Sequence, residues 1–372
     1  MEKSDPKTLI SREEIVFKEH AIDGYERVIE ITDDSVGLHA IISIHNTTLG
    51  PALGGTRAYV YSSFEDGLKD VLRLSRGMTY KSAISETGTG GGKSVIILKD
   101  NRKKTKELLE RFGEAVTLLE GEYICAEDVG MSLTDLGVVA GKTRYAVGLP
   151  HAKSSGDPSP YTAWGTFRGI EAVCHQLWRS DSLEGKVVAI QGLGAVGMLL
   201  ARNLFWAGAK LIVADINPRA VESARQEFGA TVVSVDEILG VECDILAPCA
   251  MGGILNEESI QGLKCRAVAG SANNQLATAE DGRRLQERGI LYAPDYLINS
   301  GGLLNVCVEI EKEGYNPSKA RLHVDRIYNL LITIFTLAEE KNRSTDVIAD
   351  EIAEDNIAKE IGKRTEKPYF HQ

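Results

Sequence analysis

The sequence lacks most features that mark a metal, secreted or membrane protein. Its six cysteines, Cys125, Cys174, Cys243, Cys249, Cys265 and Cys307, form no CxxC pair and no other metal-ligand spacing. Neither a zinc site nor a disulfide scaffold is therefore indicated, and thiols in mostly apolar runs point to a reducing compartment. No run of about 18 apolar residues is present to span a membrane. The opening MEKSDPKTLI has no apolar signal-peptide core. Positive charge is in short supply: 42 Lys and Arg stand against 53 Asp and Glu, a net charge of −11. That balance argues against nucleic-acid and anionic-membrane partners, both of which need a basic face. Internal repeats and low-complexity segments are also missing, and a cytoplasmic protein is expected.

A chain of 372 residues, 43% hydrophobic and 26% charged, has the make-up of a soluble globular protein long enough for two domains. Its first part alternates strand-like and helix-like runs. Residues 38–44 (LHAIISI) read as a strand, and a helix is expected from Phe64 to Arg76 with Ser63 as N-cap. A strand at 94–98, a helix at 104–120 and a strand at Tyr123–Cys125 follow. The polar, proline-rich SSGDPSPY (154–161) reads as a hinge, with Ser159 and Pro160 opening a helix to about Trp178. Strands near 186–191, 210–214, 231–234, 243–247, 266–270 and 290–293 alternate with helices beyond it. The expectation is an α/β protein. It places a substrate-binding and oligomerisation domain at 1–147, a Rossmann domain at 148–341, a cleft between them, and the helices of 342–372 packed back on the first domain.

Gly192-Leu193-Gly194-Ala195-Val196-Gly197 is a G-x-G-x-x-G, a weak signal by itself. Here an uncharged strand precedes it, a helix follows, and Asp215 ends the next strand roughly 20 residues on, which makes a dinucleotide fingerprint. Gly192 allows the tight turn, Gly194 lets backbone approach a pyrophosphate, and Gly197 lets helix and strand pack closely. The Asp215 carboxylate suits ribose hydroxyls and repels a 2′-phosphate, so NAD is favoured over NADP, with Arg219 as the feature on the other side.

The stretch from Gly77 to Lys93 (GMTYKSAISETGTGGGK) invites a phosphate-loop reading, which fails. Thr87 stands where the first glycine is required, and a β-branched run rather than a helix follows Lys93. Lys93 instead reads as a residue entering a strand with its ammonium turned to a cleft. A solvated turn lysine is the plainer alternative.

GPALGGTR (50–57), GMTYK (77–81), GGGK (90–93), AEDVG (126–130), SGDPSP (155–160), GLGAVG (192–197), GSANNQL (270–276) and INSGGLLN (298–305) occur in that order. Together they resemble the amino-acid dehydrogenases of the glutamate/leucine/phenylalanine/valine dehydrogenase family, its leucine branch most of all, over nearly the whole chain. The resemblance implies reversible, NAD-dependent oxidative deamination of an L-amino acid to a 2-oxo acid and ammonium by a homo-oligomer. In that reaction a hydride leaves Cα and water attacks the iminium that remains.

By the same resemblance Lys81 anchors the substrate carboxylate, and Lys93 is the base, its pKa brought down by a dry glycine-lined cleft and a second cation. Asp128 relays the amine proton; without the resemblance, an acid approaching the Ser132-x-x-Asp135 capping box would be an equal reading. Asn274 holds substrate and cofactor in register, Thr162 meets the nicotinamide amide, and Ala250 joins Gly192, Gly194, Ala195, Val196, Gly197 and Asp215 around the cofactor. Leu53, before Gly54 and Gly55, stands where glutamate enzymes carry a lysine, so an acidic substrate side chain would meet an apolar wall. Ala126, Leu303 and Val306 resemble the rest of the pocket and suit leucine, valine or isoleucine. Metal has no place in this site.

Two departures from the family pattern bear on specificity. Ser85–Thr89 reads SETGT where relatives carry a more apolar stretch, which puts Glu86 near the site. Asn273 replaces an aspartate common in leucine enzymes, which favours an aromatic substrate such as phenylalanine or tryptophan as the alternative. From another class, a non-catalytic NAD-binding regulator would have no need of Lys81, Lys93 and Asp128 together.

Overall fold

The structure is a computed structural model that describes residues 8–12, 15–100, 104–151 and 153–371, and it resolves into two α/β units. The first comprises Met1–Asp157, Val306–Pro317 and Glu354–Gln372; the second comprises Pro158–Asn305 and Ser318–Ala353. This grouping differs from the expected division: residues 148–157 and 306–317 go with the first unit and 342–353 with the second.

The first unit is built on a seven-stranded mixed sheet. In chain order it comprises β1 (Thr8–Arg12), β2 (Ile15–Glu19), β3 (Arg27–Asp33), β4 (Leu38–Asn46), β5 (Ala52–Tyr59), α1 (Phe64–Ile84), β6 (Gly90–Ile97), α2 (Lys106–Leu118), β7 (Tyr123–Glu127) and α3 (Leu133–Ala140). The strand order is β1-β2-β3-β4-β6-β5-β7, antiparallel from β1 through β6 and parallel across β6, β5 and β7. Successive side chains of a strand face opposite sides of the sheet, and here both sides are covered. Val28, Ile41 and Val95 pack with Val71 of α1. Ile29, Ile31, Ile42 and Ile96 pack with Leu108, Leu109, Phe112 and Val116 of α2. LHAIISI is apolar without alternation because it is buried on both faces, and each fully buried aliphatic side chain contributes about 1.5–3 kcal/mol.

Helix α1 begins as expected, with the Ser63 hydroxyl accepting the Asp66 N–H at 3.1 Å and Glu65 and Asp66 in its first turn. It does not end at Arg76. Gly77 stands in the helix with open space where its Cβ would lie, so a glycine there costs propensity but breaks nothing. The helix runs to Ile84 with Lys81 in its last turn, where a cation is favoured by the helix dipole.

The second unit holds α4 (Ser159–Trp178), β8 (Val187–Gln191), α5 (Ala195–Trp206), β9 (Lys210–Ala214), α6 (Pro218–Phe228), β10 (Thr231–Val232), β11 (Ile245–Pro248), α7 (Glu257–Gly262), β12 (Ala267–Val268), α8 (Glu280–Glu287), β13 (Leu291–Tyr292) and α9 (Asp295–Ile298). α10 (Gly301–Cys307), α11 (Pro317–Lys341) and α12 (Thr345–Ala358) follow. Pro158 rather than Ser159 precedes the first turn of α4, so Ser159 is the first helical residue. The six strands are all parallel in the order β10-β9-β8-β11-β12-β13. This is the doubly wound dinucleotide-binding order, with its reversal between β8 and β11. Among the described residues no helix is long and apolar enough to cross a membrane.

Candidate active site

The three glycines before Lys93 bring the backbone close to the protein itself. Gly90, Gly91 and Gly92 are the first residues of β6. A Cβ on Gly91 would lie 2.0 Å from Thr79 Oγ1 of α1, and one on Gly92 would lie 2.9 Å from the Tyr123 ring. Strand and helix can pack at this spacing only where β6 has no side chains.

Lys93 follows in the middle of that strand, on the α1 side with Gly91 and Val95, and is only 5% exposed. Gly55 of β5 lies across from it: a Cβ there would stand 3.0 Å from Lys93 Nζ and 2.8 Å from Asp128 Cβ. The missing side chain leaves the lysine room to reach over β5 to the residue after β7. Nζ lies 3.2 Å from Asp128 Oδ2. Asp128 also accepts from Arg57 Nε at 2.9 Å, and Arg57 Nη1 donates at 2.7 Å to Asp70 of α1, which in turn accepts from Tyr61 at 2.8 Å. A row of alternating charges thus runs Lys93–Asp128–Arg57–Asp70.

Burial is the main cause that lowers the Lys93 pKa; Arg57 adds to it and Asp128 opposes it without cancelling it. The second cation that helps is therefore Arg57. Burial alone would raise the Asp128 pKa, but Lys93 and Arg57 outweigh it and hold the carboxyl below the usual range. The neighbouring Glu127 moves the other way, raised by burial and by Asp157 and Asp128. Such an opposed pair, a lysine made easier to deprotonate beside a carboxylate kept charged, can take and pass on a proton. The capping box expected after Asp128 is present between Ser132 and Asp135, so Asp128 is free of that duty.

The other expected site residues are placed within their own units as follows. Leu53 and Gly54 precede Gly55 on β5, with Leu53 2% exposed and the Gly54 carbonyl accepting from the buried Tyr123 hydroxyl at 2.7 Å. Ala126 pairs with Gly55 in the sheet. Lys81 is half-buried on α1. Leu303 and Val306 lie one turn apart on α10, each 8% exposed. Arg57 and Asp70, which complete the charge row, were not singled out in the sequence. Arg57 closes the GPALGGTR motif, but only the helix packing shows that Asp70 reaches it. In Ser85–Thr89, Glu86, at φ 50°, lies against Gly362, and Arg364 Nε donates to the Gly88 carbonyl at 3.0 Å.

In the second unit most of the residues expected to hold the cofactor fall beyond the carboxyl ends of the parallel strands. Gly192, at φ 97°, abuts Ala250, where a Cβ would stand 2.7 Å from the alanine methyl, and a Cβ on Gly197 would strike the Gly192 carbonyl at 2.0 Å. Gly194 faces open space and precedes α5 with no side-chain cap, so the first N–H groups of that helix, from Ala195 and Val196 onward, are left to a ligand. The residues present fit a dinucleotide pyrophosphate. Asp215 accepts from Leu193 N at 2.6 Å and Asn217 N at 2.7 Å, which fixes the glycine turn to the end of β9. Asn274, at φ 51°, is exposed, and its carbonyl accepts from Gly253 N at 2.7 Å, joining the loops after β11 and β12. Thr162 lies in the first turn of α4 beside Gly302, whose Cβ would come 2.9 Å from the threonine hydroxyl. No group of three His, Cys, Asp or Glu suited to a metal occurs among the described residues.

Comparison with known proteins covers both units. Residues 25–145 match the family described as Glu/Leu/Phe/Val dehydrogenase, dimerisation domain, and residues 214–326 match Glutamate/Leucine/Phenylalanine/Valine dehydrogenase. Leucine dehydrogenase of Geobacillus stearothermophilus is 47% identical over 95% of this chain and 96% of its own. Phenylalanine dehydrogenase of Caldalkalibacillus thermarum is 44% identical over 91% of this chain and 92% of its own. The crystal structure of L-tryptophan dehydrogenase from Nostoc punctiforme superposes with a TM-score of 0.79 at 43% identity, covering 91% of this chain and 97% of that one. Likeness of this extent, running through the lysine-bearing sheet and the glycine-turn sheet alike, means that the chain belongs to the glutamate/leucine/phenylalanine/valine dehydrogenase family of amino-acid dehydrogenases.

Proposed function

We propose that this protein catalyses the reversible, NAD-dependent oxidative deamination of an apolar L-amino acid, with leucine, valine and isoleucine as its substrates. The observation that carries the reading is the buried Lys93 paired with the partly buried Asp128 at 3.2 Å, with the side-chain-free Gly55 beside it. A lysine in that setting is costly to bury charged, and its lowered pKa gives it a neutral form able to accept a proton. Bound at Gly194 and the open end of α5, NAD would supply the two-electron acceptor. Gly192, Ala195, Val196, Gly197, Asp215, Ala250, Thr162 and Asn274 are the residues proposed to hold it.

The chain's own part is to hold the amino acid and move protons. Lys81 pairs with the substrate carboxylate. Neutral Lys93 Nζ takes the proton of the water that adds to the imine carbon, and Asp128 Oδ2 stabilises the ammonium so formed. Asp128 also takes the proton of the substrate amine before oxidation, held ionised for this by Arg57. Leu53, Gly54, Gly55, Ala126, Leu303 and Val306 are proposed to shape an apolar side-chain pocket. A single methylene in such a pocket is worth about 1–3 kcal/mol, so all three branched substrates are expected to react at different rates. Self-association is part of the proposal, supported by the match of residues 25–145 to a dimerisation domain.

The test is NADH absorbance from purified protein with leucine, valine, isoleucine, phenylalanine and tryptophan, each with NAD and with NADP. The expected result is the highest kcat/KM for a branched substrate with NAD. A higher value for an aromatic substrate would establish the second reading, which Asn273 and the likeness to L-tryptophan dehydrogenase favour. No turnover of any of the five would leave a binding protein without this chemistry. An Asp215→Ser variant is expected to lose NAD affinity; unchanged affinity would remove Asp215 from the cofactor site.

A further inference from the structure

Cys243 and Cys265 have no place in the chemistry above, yet the fold sets them side by side. Glu242 bridges to Lys264 and Ile245 pairs with Ala267, both in parallel register, so the same offset puts Cys243 directly across from Cys265. Both side chains therefore fall on one face of the sheet, and neighbouring strands lie about 4.7–4.9 Å apart, within the span of about 4.4–6.8 Å that a disulfide bridges between Cα atoms. The two thiols are free, and each perturbs the titration of the other. Each keeps some exposure, 9% for Cys243 and 8% for Cys265, whereas Cys125 and Cys174 have none.

We propose that Cys243 and Cys265 form a redox-active dithiol that reacts with low-molecular-weight disulfides and closes reversibly to an intrachain disulfide. The order of attack follows from the surroundings. The Cys265 thiol is lowered first by its neighbour Cys243 and then, against burial, by backbone N–H groups at Cys265 and Leu246 and, least of these, by the Arg288 guanidinium. That guanidinium is fixed by its bonds to the Ile260 and Leu263 carbonyls. Cys243 is shifted up, by Cys265 beside it and by burial. Cys265 is thus the attacking thiolate and Cys243 the resolving thiol. The Cys265 sulfur attacks one sulfur of RSSR, forming a Cys265–S–S–R bond and releasing RS⁻, which takes up the proton Cys265 gave. The Cys243 sulfur then attacks the Cys265 sulfur, the bond to SR breaks, and a second RS⁻ leaves with the Cys243 proton. Two protein thiols are oxidised and one RSSR is reduced to two RSH.

The remaining cysteines provide the contrast. Burial pushes the Cys125 and Cys174 thiols up to about 12 and Cys307 up to about 11. Half-buried Cys249 is raised too. The test is to incubate the full-length reduced protein with excess oxidised glutathione, block free thiols with iodoacetamide under denaturing conditions, and map peptides by mass. Expected are loss of two alkylatable thiols, a cross-linked peptide pair joining Cys243 to Cys265, and no glutathione retained on either. In Cys243→Ser, Cys265 is expected to keep one glutathione. Three wild-type outcomes would each overturn the proposal: both cysteines still alkylated, glutathione retained on Cys265, or modification at Cys249 alone. The wild-type measurement decides the matter even if the variant folds poorly.

Discussion

Replacing Lys93 by methionine separates what the residue does for catalysis from what it does for the fold. A positioned general base contributes roughly 10²–10⁴-fold, so kcat for leucine in Lys93→Met is expected to fall by about that factor, about 3–5 kcal/mol of barrier at about 1.4 kcal/mol per decade. Stability should respond differently. Removing one member of a buried ion pair normally costs about 3–5 kcal/mol because the other is stranded. Asp128 is not stranded here: it keeps Arg57 Nε at 2.9 Å, and its side chain is 22% exposed. The variant also no longer buries a cation beside Arg57, and methionine fills most of the same volume. The urea midpoint at neutral pH is therefore expected to stay within about 1 kcal/mol of wild type, or to rise.

The pH dependence adds a signature. The folded-state pKa of Lys93 lies below its unfolded value, so the folded protein releases this proton first. Wild-type stability then gains a contribution as pH rises from that lowered value towards the ordinary lysine range, and Lys93→Met lacks it. Retention of kcat within tenfold would refute the base assignment. Destabilisation by several kcal/mol at neutral pH would show that the lysine holds the fold.

Three further outcomes follow from the same geometry. Arg57 lowers the Lys93 pKa and Asp128 raises it, so the alkaline rise of kcat/KM should move to higher pH in Arg57→Gln and to lower pH in Asp128→Asn; movement in the same direction would break the charge-row account. Gly91→Ala places a methyl 2.0 Å from Thr79 Oγ1, and overpacking of this kind costs about 1–3 kcal/mol or more, read as a lower urea midpoint. Gly77→Ala meets nothing within 4 Å and should stabilise α1 by roughly 1 kcal/mol; a loss there would mean that α1 is not a continuous helix.

The second unit was the more legible in the sequence. Its glycines stand where a tight turn and close helix packing permit nothing larger, and its strands are spaced by helices of ordinary length, so motif and fold announce each other. In the first unit the glycines misled. Gly77 suggests a helix end, and Gly90–Gly92 suggest a loop. Yet an exposed glycine survives within a long, capped helix, and a bare strand is what α1 needs to pack against. The charge row was half visible. Lys93 and Asp128 stood in recognisable motifs, but Asp70 lies on a helix face with no local signal, and only the crossing of helix and sheet joins it to Arg57. The Cys243–Cys265 pairing was hidden for a similar reason, since it depends on strand register and not on spacing along the chain.

The first unit is assembled from three separate stretches of chain, and this bears on the order in which a ribosome delivers it. Asn356 Nδ2 donates to the Ala83 carbonyl at 3.0 Å, and Arg364 donates to the carbonyl of Gly88. Both bonds hold the turn that leads from α1 into the strand of Lys93. During synthesis that turn stays without its partners until the whole of the second unit has been made. The nascent first unit must therefore persist in an unfinished form, or wait, while about 200 further residues emerge. Truncation after Ala353 should reproduce that unfinished state, with the Lys93 strand as the region most open to hydrogen exchange.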